Sequence, residues 1–311
     1  MSPDISIVIP ARNEGARLAD TILSISRARA TDARVQFVIA DDDSEDDTPG
    51  QLMARRDELL AEPGIDIHIE RLTERHGVPR ARNLAASLAR APLLFNTDAH
   101  VRFSDGWDDL AFENQAPDRI IAGAITEANT NFIGYGCRLV VPFMGTYWNR
   151  EAPPGPVPVQ IAACPATVIP KALFDRLGGY DPGMLLYGAA EPEFSVRAWL
   201  SGAEILIHPD LQVAHRFKPR AEREAFIREV RPYMIHNALR FGLSYLSEAG
   251  CLQLLRYQAR KFPNLFDEAI AMVEASDVWS RREELSRSLP RSFDWFVQRF
   301  DLKDQVGGDI L

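Results

Sequence analysis

The chain of 311 residues is poor in cysteine. Its three cysteines, Cys137, Cys164 and Cys251, are widely spaced and form no CxxC pair. That argues against a disulfide framework or a zinc–thiolate cluster and fits a reducing compartment. Long apolar runs are also missing: no stretch offers the roughly 18 consecutive apolar residues of a membrane span. The N-terminal run Ile5 to Ile9 is closed by Pro10 and followed by charges, so it reads neither as a signal peptide nor as a span. The expected location is cytoplasmic. Basic residues are in deficit, with 35 Lys+Arg against 44 Asp+Glu and a formal net charge of -9. Without a basic excess there is no counterion release to drive general nucleic-acid binding. An anionic ligand would need a metal or a local basic cluster. No GxGxxG follows the first apolar run and no GxxxxGK[ST] occurs anywhere, which disfavours dinucleotide and P-loop sites. Repeats and low-complexity tracts are absent too.

What is present is ordinary globular composition, 46% hydrophobic and 25% charged, long enough for one large domain or two ordinary ones. The first hundred residues alternate between strand and helix patterns. Ile5 to Ile9, Val35 to Ala40, Ile65 to Glu70 and Leu93 to Asn96 read as strands. Asn13 to Arg29, Gln51 to Leu60 and Pro79 to Arg90 read as helices. Such alternation predicts an α/β fold with a mostly parallel sheet flanked by helices. Further on, Ile120 to Thr126 and Val159 to Ile169 are strand-like, 151–158 is a Pro-rich loop, and Gly178 is placed to end a short helix begun at Lys171. Glu191 to Ser201 reads as another helix. From Glu222 the pattern is helical, over 223–247, 251–261, 264–276 and 278–299. The expected division is a domain over 1–220 and a helical C-terminal region over 221–311.

In parallel sheets ligands sit beyond the carboxyl ends of the strands. Three polar clusters fall there: Pro10 to Glu14, Asp41 to Asp46, and Thr97-Asp98-Ala99-His100. Residues two apart on an extended chain share a face, so Asp98 and His100 are placed to bind one divalent cation. Such a cation bridges phosphates and neutralises a leaving group. The alternative is a polar loop with a solvated His100. His215, after the apolar segment 205–207, is a candidate third ligand. A structural role fits His68 better, His208 reads as a turn residue, and His236 lies on a helix. Trp199 reads as core. Sugar stacking on Tyr147 or Trp148 is the lesser reading, and Lys218 and Arg220 either approach phosphate or form a solvated turn.

In order along the chain, SIVIPARNEG, IADDDSEDDT, HGVPRARNLA, NTDAH and LGGYDPGMLLYGAAEPEFSVRAW resemble the GT-A-fold glycosyltransferases of the family 2 group. DAH, GGYDPGM, YGAAEPEFSVRAW and VAHRFK look most like the polypeptide N-acetylgalactosaminyltransferases and their bacterial relatives. The resemblance covers about residues 5–218. It implies a GT-A fold and a nucleotide-sugar donor, with UDP-sugar expected first. Pro10, Ala11, Arg12 and Glu14 would lie on the nucleotide side. Asp42 would accept from uracil N3–H, a donor that an acceptor-only carboxylate suits. Arg82 would reach the diphosphate or order the metal loop, beside Thr97. Asp98, His100 and His215 would hold Mn2+ (or Mg2+), since imidazole favours transition metals over calcium.

Glu191 is the main departure. It falls on the second acid of the pair that inverting relatives carry, where retaining peptide-glycosylating relatives typically have Asn, and Ala190 replaces the first acid. A base at Glu191 would deprotonate an acceptor hydroxyl or thiol and give inversion. Otherwise Glu191 and Glu193 only favour a helix N-terminus. A retaining polypeptide GalNAc-transferase-like enzyme and a non-catalytic sugar-nucleotide-binding module stay open as alternatives. The acceptor is a peptide, a glycan or a small molecule. The C-terminal helices either cover the acceptor site or form a homodimer surface.

Overall fold

A computed structural model describes residues 2–127 and 130–304. The last seven residues of the expected C-terminal region therefore lie outside the described residues. Among those described, a ten-stranded sheet is flanked by helices. Its main path runs Val157–Pro158, Glu204–His215, Arg119–Glu127, Thr167–Pro170, Leu93–Asn96, Ile5–Ala11, Val35–Asp41 and Ile65–Arg71. The last four pair in parallel, as the strand–helix alternation predicts, because each parallel return needs a crossover. The sheet becomes mixed where that alternation stops. Thr167–Pro170 is antiparallel to both neighbours, while Glu204–His215 lies parallel to Arg119–Glu127.

The β-branched runs of Ile5–Ala11 and Val35–Asp41 are covered on both faces, which explains why they show no alternation. The helix Arg17–Arg27 buries Leu18, Ile22 and Ile25 on one stripe. It starts at Arg17 rather than Asn13 because Asn13 and Gly15 take positive φ. Residues 159–169 are not one strand: Val157–Pro158 and Thr167–Pro170 are separate elements. His208 is not a turn residue but lies within Glu204–His215, beside its bulge. The segment 278–299 breaks into Val278–Ser288 and Phe293–Arg299. Pro290 has no N–H to continue the first helix, and Ser292 Oγ caps the second by accepting from Trp295 N at 3.3 Å.

The C-terminal helices share the core of the sheet domain. Trp199, 4% exposed, meets the ring of Phe300 at 5.2 Å, and its indole donates to the Val159 and Gln160 carbonyls. Arg240, on the helix Arg220–Tyr245, forks onto Asp181 of the GGYD segment at 2.8 and 2.9 Å, with both side chains buried. Burial alone would raise the Asp181 carboxyl, but the Arg240 fork outweighs it and holds it below the ordinary value. A lowered carboxyl stabilises above its unfolded pKa of about 3.9, and that stability is lost as pH falls through the folded value. Asp181→Asn should therefore cost about 3 kcal/mol near neutrality. Its deficit in melting temperature should shrink as pH drops below about 4. A gap independent of pH in thermal scans would deny the linkage.

Candidate active site

Parallel strands end at one sheet edge, so the polar clusters that follow them converge. Pro10, Ala11, Arg12, Glu14, Asp42, Arg82, Asp98, His100, Glu191 and His215 line one cleft of about 300 Å³. Thr97 does not. Its side chain is wholly buried behind the wall, and its hydroxyl has no partner among the described residues. The Arg12 guanidinium donates to the Asp42 and Asp43 carbonyls and to Glu45, so it braces the acidic loop.

Asp42 builds the wall from below. Its two carboxylate oxygens accept the backbone N–H groups of His76 (2.7 Å) and Gly77 (2.8 Å). A carboxylate has about four acceptor sites, so capacity remains toward the cleft. Gly77, at φ 89°, bridges to Leu186, and a Cβ there would stand 2.1 Å from the Leu186 Cα. Only glycine lets the two backbones meet.

The metal-type cluster is assembled from two distant segments. One ligand atom each from Asp98, His100 and His215 lies within 4.8 Å of the others. His100 Nε2 and His215 Nε2 are 3.1 Å apart, and His215 Nε2 is 3.4 Å from Asp98 Oδ2. Strand pairing makes this possible: His215 stands opposite Val101 in the antiparallel register. Glu14 accepts from His100 Nδ1 at 3.0 Å. That contact turns the other ring nitrogen toward Asp98 and His215, as an outer carboxylate does for a ligating histidine. Burial would raise the Glu14 carboxyl, but His100 and Arg17 pull it below its usual value. Two imidazole nitrogens and a carboxylate facing one point fit a divalent transition cation.

Arg82 ties this cluster to Glu191. Wholly buried, it donates to Asp98 Oδ1 at 2.6 Å and to Glu191 Oε1 at 2.7 Å. Burial would push the Asp98 carboxyl up. The His215 hydrogen bond, the Arg82 charge and the two imidazoles outweigh that and hold it far below the carboxylate range. Glu191 opens the helix Ala190–Leu200 and faces the cleft. Glu193 does not: it is 1% exposed, forks with Arg197 at 2.8 Å and accepts from Tyr245 Oη. Cys164 also lines the cleft, but burial pushes its thiol up to about 11, which keeps it a poor nucleophile.

Several wall residues escape sequence reasoning. Tyr187, Phe217, Phe226 and Arg223 line the cleft, as does Lys218, which the sequence already offers as a phosphate contact. Arg220 instead pairs with Glu224 in the open. The helix Arg220–Tyr245 thus contributes directly to the site. Its Asn237 clamps the 185–188 segment, accepting from Leu185 N and donating to the Leu185, Tyr187 and Gly188 carbonyls. Tyr187 had a signal in its place at the head of YGAAEPE. The Asn237 clamp, about 50 residues away along the chain, had none.

The fold, a mixed sheet flanked by helices, is of the GT-A type. Residues 6–147 match the family model described as Glycosyl transferase family 2. It is 25% identical to polypeptide N-acetylgalactosaminyltransferase 12 of Mus musculus, over 95% of this chain and 51% of that protein. It is 26% identical to polypeptide N-acetylgalactosaminyltransferase 11 of Xenopus tropicalis, over 98% and 51%. The chain spans about half the length of these curated relatives. Among solved structures it resembles GalNAc-T7 with UDP, GalNAc and Mn2+, at TM-score 0.73 and 20% identity over 96% of this chain and 57% of that one. It also resembles the mannosyltransferase PcManGT of Pyrobaculum calidifontis with GDP-Man and Mn2+, at TM-score 0.56 and 17% identity over 88% and 74%. Among the described residues no helix is long and apolar enough to cross a membrane.

Proposed function

We propose that this chain transfers a sugar from a nucleoside-diphosphate sugar, UDP-sugar first, to a hydroxyl or similar acceptor, with Glu191 as the base and inversion at the anomeric carbon. One observation carries the reading: Glu191 and Asp98 face one cleft and share one buried arginine, with two histidines beside Asp98. A candidate base and a candidate cation site on one cleft support the reading. Asp98, His100 and His215 would hold Mn2+ (or Mg2+), which would neutralise charge developing on a departing diphosphate. Lys218 and Arg223 add positive charge at the cleft edge. Asp42, beyond its two backbone bonds, keeps acceptor capacity for a nucleobase N–H. Glu191 Oε1 is taken by Arg82, leaving Oε2 for an acceptor hydroxyl proton. Three free cysteines support a reducing, cytoplasmic setting. The names of the curated relatives favour a second reading, a peptide acceptor, for which a retaining outcome stays open.

Glu191→Gln discriminates. It should lower turnover by about 10²- to 10⁴-fold, the usual worth of a general base, while UDP–Mn2+ binding stays within about twofold. An unimpaired rate would remove Glu191 from the base role. NMR of the product's anomeric proton decides between inversion and retention. Failure of any UDP-sugar to be hydrolysed or transferred by the wild type, with UDP still bound, would instead favour a sugar-nucleotide-binding module.

A further inference from the structure

A second cavity, of about 130 Å³, lies behind the segment that carries Glu191. Leu186, Tyr187 and Glu191 face the donor cleft, whereas Gly188 and Ala189 face this cavity. The dividing segment is strained, with Leu186 at φ 35° and Ala189 at φ 59°; such backbone is kept where a site needs it. The helix Arg220–Tyr245 walls both spaces, and an open trough past Arg223 and Arg231 joins them along its surface.

The cavity is apolar in its floor, through Phe143, Met234, Ile235 and Phe262, but not in its hydrogen bonding. Gln258 is 1% exposed; its Nε2 donates to the Phe143 carbonyl, and its Oε1 is buried with no partner. Arg231 Nε is buried and unpartnered as well, with the guanidinium 5.5 Å from the Phe262 ring centre. Lys261 sits 4.3 Å from the Phe143 ring centre and bonds Tyr257 Oη. No carboxylate pairs with Arg231 or Lys261 among the described residues, although the chain has nine more acids than bases. A buried polar atom left unpaired costs about 1–3 kcal/mol unless a ligand or water satisfies it.

We propose that this cavity is a ligand subsite for an anionic group, carboxylate or phosphate, borne on an apolar body, and that it holds that part of the acceptor while the cleft holds the donor. The anion meets Arg231 and Lys261, the apolar body packs on the phenylalanine and methionine floor, and Gln258 Oε1 receives a donor hydrogen. The acceptor assignment rests on the glycosyl-transfer reading above; the anion preference does not.

Hexanoate, hexyl phosphate and hexanol serve as probes in saturation-transfer NMR titrations of the full chain. The two anions should bind at least about tenfold more tightly than hexanol, the effect of one charge-assisted hydrogen bond. The tighter anion identifies the head group. The double variant R231M/K261M, which keeps the apolar stems, should bring both anions to the level of hexanol while its UDP–Mn2+ melting shift persists. Saturating UDP–Mn2+ should leave hexanoate bound, since the two ligands occupy different spaces. Equal binding of hexanol and the anions, anion binding undiminished in the variant, or displacement of hexanoate by UDP–Mn2+ each overturns the subsite. If UDP–Mn2+ gives no shift with the wild type while the anion preference holds, the transfer reading falls and the anion site stands.

Discussion

Asp98→Ala should abolish the rise in melting temperature that UDP and Mn2+ together give the wild type. At ligand concentrations about a hundred times the dissociation constant, that rise represents about 2.7 kcal/mol, several degrees for a chain of this size. The carboxylate does three jobs at once. It is the only anionic member of the Asp98, His100 and His215 set. It meets His215 Nε2 at 3.4 Å and also accepts from Arg82. Removing it leaves two imidazoles, whose affinity for Mn2+ is poor without an oxygen anion. The variant should stay folded, because Arg82 keeps Glu191 as a partner. Turnover should fall at least about a thousandfold, in line with the loss of a group that stabilises leaving-group charge. His100→Ala should lose less, since His215 and Asp98 remain. A full UDP–Mn2+ shift in Asp98→Ala, read by differential scanning fluorimetry, would move the cation site elsewhere.

The ends of the parallel strands were readable because an apolar β-branched run that stops at a polar cluster has few other meanings. Pro10, Asp42 and Asp98 were placed that way, and the parallel edge Ile5–Ala11, Val35–Asp41 and Leu93–Asn96 brings them together. The metal trio needed more than spacing. Asp98 and His100 are local, but His215, a candidate from its place after an apolar segment and from the resemblance, joins them only through the antiparallel register with Val101. Glu14 was expected on the nucleotide side; its contact is His100 Nδ1, 86 residues away along the chain. No local periodicity encodes such a pair. The same holds for the order of the mixed half of the sheet, because a strand outside a strand–helix–strand unit has no preferred neighbour. Glu191 and Glu193 show the limit most directly. They are two residues apart on one helix start, yet one faces the cleft and the other is buried against Arg197 and Tyr245. Composition and spacing treat them alike; the helix rotation separates them by about 200°.

Arg82→Met should be the most destabilising substitution in the site, by about 3–5 kcal/mol in urea denaturation. The guanidinium is wholly buried, and its two ends hold two carboxylates that would otherwise face each other across the cleft. Methionine fills much of the same space on the Tyr180 side, where Arg82 lies 5.8 Å from the ring centre, so the loss is chiefly electrostatic. Asp98 and Glu191 would then be like charges with no shared cation. Mn2+ should narrow the deficit in this variant, because a second cation beside Asp98 offsets part of the missing charge, whereas it cannot do so at Glu191. Arg82→Lys should recover only part of the stability. A single ammonium is a point charge and cannot fork to both acids along the same directions. The transfer rate of the lysine variant should stay low even where it is folded, since Glu191 loses the contact that fixes its oxygen against the cleft. A denaturation free energy within about 1 kcal/mol of wild type for Arg82→Met would mean that solvent already relieves the two carboxylates. The buried arginine would then be a spacer rather than the link between base and cation site.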